Sequence, residues 1–136
     1  QASSLRGREV LVETSRASLG AEGGINGAAE LPFATQSAIV QVKDAGGAVV
    51  RKIYLDKQSA GMAKFSWDGL TDAGVRAPAG DYTFSAVAVD NGRQVAVGTL
   101  ISNTVESVTL GVGTTRVTLS VQGLGEVAVD RVRQIS

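Results

Sequence analysis

Short runs in which apolar and polar residues alternate, separated by turn residues, recur along most of this chain. In residues 38–43, Ala38, Val40 and Val42 alternate with Ile39 and Gln41. This is the period-two pattern of a strand with one buried face. Residues 44–47 contain two glycines, which tolerate the positive φ of tight turns, and residues 49–55 read as the return strand. The pattern therefore predicts a β-hairpin.

The same pattern predicts strands along most of the remaining chain. Asn91-Gly92, a strong two-residue hairpin signal, separates a strand at 82–89 from one at 93–98. Turns are expected at 111–113 and 123–125. Further strands are predicted at residues 8–14, 63–67, 98–110, 115–121, 126–129 and 131–135.

Residues 16–30 show neither the period-two pattern of a strand nor the apolar stripe of a helix. They are rich in glycine and alanine, and they predict a flexible loop or a crossing between domains. The single strand before this loop needs a partner, because an isolated strand is not stable. We expect it to join the C-terminal strands. The fold is then all-β, with a sandwich at 31–90 inserted into a discontinuous small barrel of residues 1–30 plus 91–136.

One group of residues in the expected sandwich stands out as a structural signature. Trp67 is the only tryptophan, and its size suits an anchor in the interior. The neighbouring glycines suit turn positions that disfavour side chains. The alternative is an exposed ring that stacks on a sugar or a partner. The signature residues are Phe65, Trp67, Asp68, Gly69, Gly74, Gly80 and Tyr82.

Composition argues against most catalytic chemistry. The chain has no histidine and no cysteine, so a Ser-His-Asp triad, a thiolate nucleophile and the usual zinc ligands are excluded. Its 13 basic and 13 acidic residues balance, which makes nucleic acid or an anionic membrane a poor partner. No apolar run approaches the roughly 20 residues that span a bilayer. The first residue is not methionine, so a fragment or a processed chain is expected.

Two acidic groups are the remaining candidates for chemistry. Asp68, Asp72 and Asp81 could supply oxygen ligands to calcium, but their spacing does not fit an EF-hand loop, and aspartate beside glycine is common in turns. If Glu126 and Asp130 share a strand, they lie about 13 Å apart, which is too far for a glycosidase pair. We expect no catalytic residue, no metal and no cofactor.

Several segments together resemble the bacterial flagellar hook capping family, also called hook assembly scaffolds or basal-body rod modification proteins. They are residues 4–10 (SLRGREV), 65–69 (FSWDG), 80–84 (GDYTF), 97–108 and the closing strands, in that order. The resemblance implies an immunoglobulin-like or fibronectin III-like sandwich inserted into a Tudor-like barrel. It also implies that the chain is the family's C-terminal core.

The resemblance further implies a non-enzymatic scaffold that leaves the cell by the flagellar type III route. Such a protein caps the distal end of the growing hook and guides hook-subunit assembly. Its expected partners are hook protein subunits and further copies of itself, with no nucleic acid, membrane or small-molecule substrate. The alternative function is an extracellular immunoglobulin-like adhesion or carbohydrate-binding module.

Overall fold

The computed structural model describes residues 5–111 and 116–136, and most of this part of the chain forms strands, with no α-helix among the described residues. The all-β prediction is therefore confirmed. No helix among the described residues is long and apolar enough to cross a membrane. The strands are β1 Glu9–Glu13, β2 Arg16–Leu19, β3 Ile25–Leu31, β4 Ala38–Lys43, β5 Val49–Leu55, β6 Gly61–Trp67, β7 Gly80–Asp90, β8 Arg93–Leu110, β9 Val117–Val121, β10 Gly125–Ala128 and β11 Val132–Ile135.

Two antiparallel layers enclose the larger core. One layer contains β5, β4 and β7, with β2 and the first part of β8 paired to β7. The other contains β6, β3 and the middle of β8. The alternation predicted for β4 is present, since Ala38, Val40 and Val42 are buried while Ile39 and Gln41 are only partly covered. These inward residues meet Trp67 and Phe84 in one cluster.

The loop predicted for residues 16–30 is wrong. This segment forms β2 and β3, and β3 is a central strand paired with both β6 and β8. Gly27 shows why a residue without a side chain is suited to this central strand. A Cβ at Gly27 would lie 2.3 Å from the Leu100 carbonyl oxygen and 2.7 Å from Cζ of Phe65. The Phe65 ring thus occupies the space that a side chain at residue 27 would need.

β8 is one strand of 18 residues, where the sequence predicted two that meet at Gly98. Its first part pairs with β7, its middle with β3 and β1, and its last part with β9. Gly98 is the position at which pairing passes from β7 to β3, so the glycine marks a change of layer and does not end the strand.

Strands from the two ends of the chain enclose a second core. β1 pairs with β8 and β11, as expected for the N-terminal strand, and the strand order here is β11-β1-β8-β9-β10. A 3-10 helix, Val129–Arg131, connects β10 to β11. The core of these strands is aliphatic and includes Val10, Val12, Val105, Leu119, Val121 and Val127.

Both predicted hairpins are present. β4 and β5 pair antiparallel, and the Asp44 side chain accepts the N–H groups of Gly46 and Ala48 in the turn between them. Asn91 (φ 50°) and Gly92 (φ 77°) both have the positive φ of the two-residue turn that joins β7 to β8. The turn predicted at 111–113 extends outside the described residues.

Candidate interaction site

Trp67, at the end of β6, is an anchor of the sandwich core. Its side chain is 1% exposed, and its Nε1–H donates to the Leu70 carbonyl oxygen at 2.9 Å. The ring meets Tyr82 edge-on at 5.0 Å between centroids and Phe84 at 6.0 Å. Phe65 stacks on Phe84 at 5.7 Å. These four rings fill the interior, so none of them offers a face to a ligand.

The Tyr82 hydroxyl ties β7 to the segment before it by donating to the Pro78 carbonyl oxygen. Burial raises the pKa of Tyr82 above its usual value of 10.0, and the Asp44 carboxylate raises it further, while Arg76 acts in the opposite direction. A buried phenol with a carbonyl partner is satisfied only while it keeps its proton.

The signature glycines lie in the connection between β6 and β7 and at the start of β7. Gly69, Gly74 and Gly80 have φ of 83°, 82° and 149°. Two features favour glycine at residue 69. Its positive φ disfavours a side chain, and a Cβ there would lie 2.2 Å from Nη1 of Arg76. That guanidinium donates to the carbonyl oxygens of Gly20, Gly23 and Asp68, and so holds the β2–β3 loop against the β6–β7 loop.

Asp68 and Asp72 both face Arg51 of β5. The Arg51 guanidinium lies 3.0 Å from Asp68 and 3.7 Å from Asp72. The N–H of Leu70 lowers the pKa of Asp68 below 3.8; partial desolvation opposes the shift and Arg51 adds to it. Asp81, the third aspartate of the calcium-site hypothesis, instead accepts a hydrogen bond from the Ser18 hydroxyl at 2.8 Å.

The described residues contain no group of three acidic side chains placed to hold a metal ion. The assumption that Glu126 and Asp130 share a strand is wrong. Glu126 lies in β10, whereas Asp130 lies in the 3-10 helix that follows.

A cleft of about 670 Å³ separates β2 from β10. Its walls carry both signs of charge, with Arg16 and Arg131 beside Asp81, Glu106 and Glu126. Arg131 is engaged with the Glu13 carbonyl oxygen. The mixture of signs favours neither an anionic nor a cationic ligand.

The outer face of the β5–β4–β7–β8 layer carries a row of apolar side chains. Tyr54 lies opposite Ile39, Ile39 opposite Val87, and Val87 opposite Ala96. Tyr54 is 67% exposed, Ala96 is exposed, and Ile39 and Val87 are half-buried. We call these four residues the outer row. Contiguous apolar side chains on a solvent-facing layer are suited to contact with another protein.

Sequence reasoning did not single out the outer row. In β4 and β7 the outward positions include Ile39 and Val87, so the two faces of each strand are not distinguished by polarity alone. Cross-strand register is the missing signal. Only when β4, β5, β7 and β8 are paired do their outward apolar residues fall in one line.

Comparison with known proteins identifies the sandwich. Residues 14–92 match the family model described as the FlgD Ig-like domain. The Escherichia coli protein named basal-body rod modification protein FlgD is 34% identical over 106 residues, covering 78% of this chain and 45% of that protein. Its Salmonella typhimurium namesake is 31% identical over an alignment of 142 residues, covering 99% of this chain and 60% of that protein. The chain thus spans about half of these curated relatives.

Solved structures agree over nearly the whole chain. FlgD from Xanthomonas campestris, whose structure is described as giving insights into the hook capping essential for flagellar assembly, superposes with a TM-score of 0.89 at 29% identity, covering 98% of this chain and 96% of that one. FlgD from P. aeruginosa superposes with a TM-score of 0.80 at 35% identity, covering 99% and 100%. The matched Ig-like domain, the identities and the shared architecture together establish that this chain belongs to the FlgD family.

Proposed function

We propose that the protein containing this chain is a hook-capping scaffold located at the distal end of the growing flagellar hook. The observation that carries the proposal is the likeness over 98% of the chain to the X. campestris FlgD structure, whose description links that protein to hook capping. The names of the E. coli and S. typhimurium relatives support the same assignment. Export by the flagellar type III route follows from this location.

The scaffold would act by protein–protein contact alone. Its partners would be hook protein subunits and further copies of itself. The absence of histidine and cysteine from the sequence supports a role without catalysis, cofactor or small-molecule substrate. The zero formal net charge supports a role without nucleic acid or membrane. The outer row offers a surface suited to protein contacts.

We also propose that the chain divides into a sandwich and a discontinuous Tudor-like barrel. The two separate cores support this division. The barrel would consist of β1, the last part of β8, β9, β10 and β11. β2 and β3 contribute Leu19 and Ile25 to the sandwich core, and the family match begins at residue 14. We therefore place the first boundary near residue 14, earlier than the residue 31 expected from the sequence.

The signature residues would serve this function only through the fold. Phe65, Trp67 and Tyr82 are each at most 5% exposed, which supports a structural role. The same burial counts against the carbohydrate-binding alternative, which needs exposed rings as a stacking platform. With family membership pointing to flagellar assembly, the adhesion alternative is not supported.

Deletion of the encoding gene tests the proposal. We expect cells that lack hooks and release unassembled hook protein into the medium, detected by electron microscopy and by immunoblotting. A plasmid copy of the gene should restore hooks, which controls for effects on neighbouring genes. Normal hooks in the deletion strain would overturn the proposal.

A further inference from the structure

We propose that the cleft between β2 and β10 receives a short extended segment of a hook protein subunit, which pairs through its main chain with the free edge of β2. This inference rests on the proposed function for the identity of the partner. The kind of partner is argued from the main-chain groups of β2 and from the two contacts that bound the cleft.

β2 has a sheet partner on one side only. Among the strands of the described chain it pairs with β7 alone. Just before β2, the Ser15 carbonyl oxygen accepts the Phe84 N–H of β7 at 2.7 Å. Because antiparallel pairs alternate between hydrogen-bonded and non-hydrogen-bonded positions, the main-chain groups of Arg16 and Ser18 point away from β7.

The outward groups of β2 are available to another chain. The Arg16 N–H has a single long contact, with the Thr14 hydroxyl at 3.3 Å. The Ser18 side chain donates to Asp81, which leaves the main-chain N–H and carbonyl oxygen of Ser18 without a strand partner. Unpaired main-chain groups along a sheet edge are a template for a further strand.

Two contacts place this edge beside the β9–β10 hairpin. At one end, a Cβ at Gly123 would lie 3.8 Å from the Ser18 carbonyl oxygen. At the other end, the Arg131 guanidinium donates to the Glu13 carbonyl oxygen. The segments that contain these residues therefore run alongside one another in opposite directions. The cleft of about 670 Å³ lies between the two contacts.

The main chain, and not charge, selects the occupant. Arg16 lies on one wall of the cleft and Glu106 and Glu126 lie on the other, so side chains of either sign find a counterpart. The open groups of β2 recur with the period of a strand, which an extended polypeptide matches and a small ion does not. The stretch from residue 13 to residue 18 is roughly 17 Å long, which accommodates about five extended residues.

A second copy of this chain is a poor occupant. Every strand of the described residues is already hydrogen-bonded within a sheet, and a sheet edge is too broad for a cleft that is bounded at both ends. The segment must therefore come from another protein, and hook subunits are the partners of the proposed scaffold. Main-chain pairing along the four residues of β2 forms few hydrogen bonds, so successive subunits can bind there and leave.

A matched pair of substitutions at Ser18 tests the proposal. Ser18→Pro removes the N–H that points away from β7, and proline is tolerated on an edge strand when its nitrogen faces solvent. Ser18→Ala loses the same hydrogen bond to Asp81 but keeps the N–H. The measurement is an NMR titration of the 15N-labelled 136-residue chain with purified monomeric hook protein.

We expect weak binding, with a Kd on the order of 0.1–1 mM. The largest amide shifts should fall on β2 and β10. Ser18→Pro should weaken binding by about fivefold or more, because a main-chain hydrogen bond is lost, whereas Ser18→Ala should change it by less than about twofold. Equal effects of the two substitutions, or shifts confined to the outer row, would overturn the proposal. Circular dichroism checks that both variants are folded.

Photo-crosslinking in cells keeps the test decisive even if Ser18→Pro does not fold. The photoreactive residue p-benzoylphenylalanine, placed at residue 16 of the full-length protein, should cross-link to hook protein, which antibodies identify. The same residue at position 54, in the outer row, is the control and should not. Cross-linking from residue 16 only to a second copy of the protein would overturn the proposal, as would equal capture of hook protein from both positions.

A chromosomal Ser18→Pro strain separates this inference from the proposed function. Fewer hooks than in a Ser18→Ala strain would support a role of the cleft in hook assembly. Normal hooks in the Ser18→Pro strain would overturn that role, yet leave the capping function, which the gene deletion tests separately.

Discussion

The carboxylate of Asp72 accepts the main-chain N–H of Lys52 at 3.2 Å, although the two residues are 20 positions apart. Together with the donation from the Asp72 N–H to the Val50 carbonyl oxygen, this contact covers the outer edge of β5. A loop residue thereby takes the place of a neighbouring strand. Exposed edges pair readily with other chains, so this cover protects against aggregation.

Asp72→Ala should expose part of that edge. We expect a loss of about 1 kcal/mol in the free energy of unfolding, because the Lys52 N–H loses its acceptor. We also expect faster aggregation on heating, followed by light scattering. Asp130→Ala, at an exposed residue of the 3-10 helix, is the control and should have little effect. Equal behaviour of the two variants would contradict the protective role of Asp72.

Gly69→Ala and Gly74→Ala form a matched pair. Both glycines have nearly the same φ, 83° and 82°, so both substitutions carry about 1–2 kcal/mol of left-handed strain. Only the methyl group at residue 69 meets Arg76, whereas nothing lies within 4 Å of the one at residue 74. Gly69→Ala should therefore lose a further ~1–3 kcal/mol. Urea unfolding measures both, and the same loss for the two variants would show that Arg76 moves aside freely.

Trp67→Ala should remove the anchor of the sandwich core. The expected loss is about 3–5 kcal/mol, since a large buried ring is replaced by a cavity. Because Trp67 is the only tryptophan, circular dichroism and not fluorescence should follow unfolding. Tyr54→Ala, at a ring that is 67% exposed, should change stability by no more than about 0.5 kcal/mol. A small loss at Trp67 would contradict its role as an anchor.

The stability of the chain should fall in alkaline solution through Tyr82. Its folded-state pKa is raised above 10.0, so the folded state holds the phenolic proton more tightly than the unfolded state. The stabilising contribution is fully present below pH 10 and is lost as the pH rises through the raised value.

Tyr82→Phe isolates this effect. At neutral pH the variant should be about 1 kcal/mol less stable, because the hydrogen bond to Pro78 is lost. Above pH 10 the difference in the free energy of unfolding between the two proteins should shrink, because the unmodified chain loses the contribution of Tyr82. Urea unfolding of both proteins across this range is the measurement, and a difference that stays constant with pH would contradict a buried, protonated Tyr82.

Local pattern was sufficient for the hairpins and for the pairing of the chain ends, but not for β3. Ala28 and Ala29 are fully buried there, yet small residues carry no strand signal of their own. The space beside a small residue of β3 can be filled by a residue distant in sequence, as Phe65 fills the space beside Gly27. The outer row was missed for a related reason, because its alignment exists only after four strands have paired.

The continuous course of β8 has a mechanical consequence. It contributes to both cores. β3 pairs with one of its edges over Gly98–Ser102, and β1 pairs with the other over the overlapping stretch Leu100–Thr104. A torque applied to the strands around the second core therefore reaches the sandwich through ladder hydrogen bonds on two sides of β8 and not through a flexible linker. Bending at this joint would have to break several of those bonds at once, so a load on one end of the molecule is carried to the other as by a stiff lever.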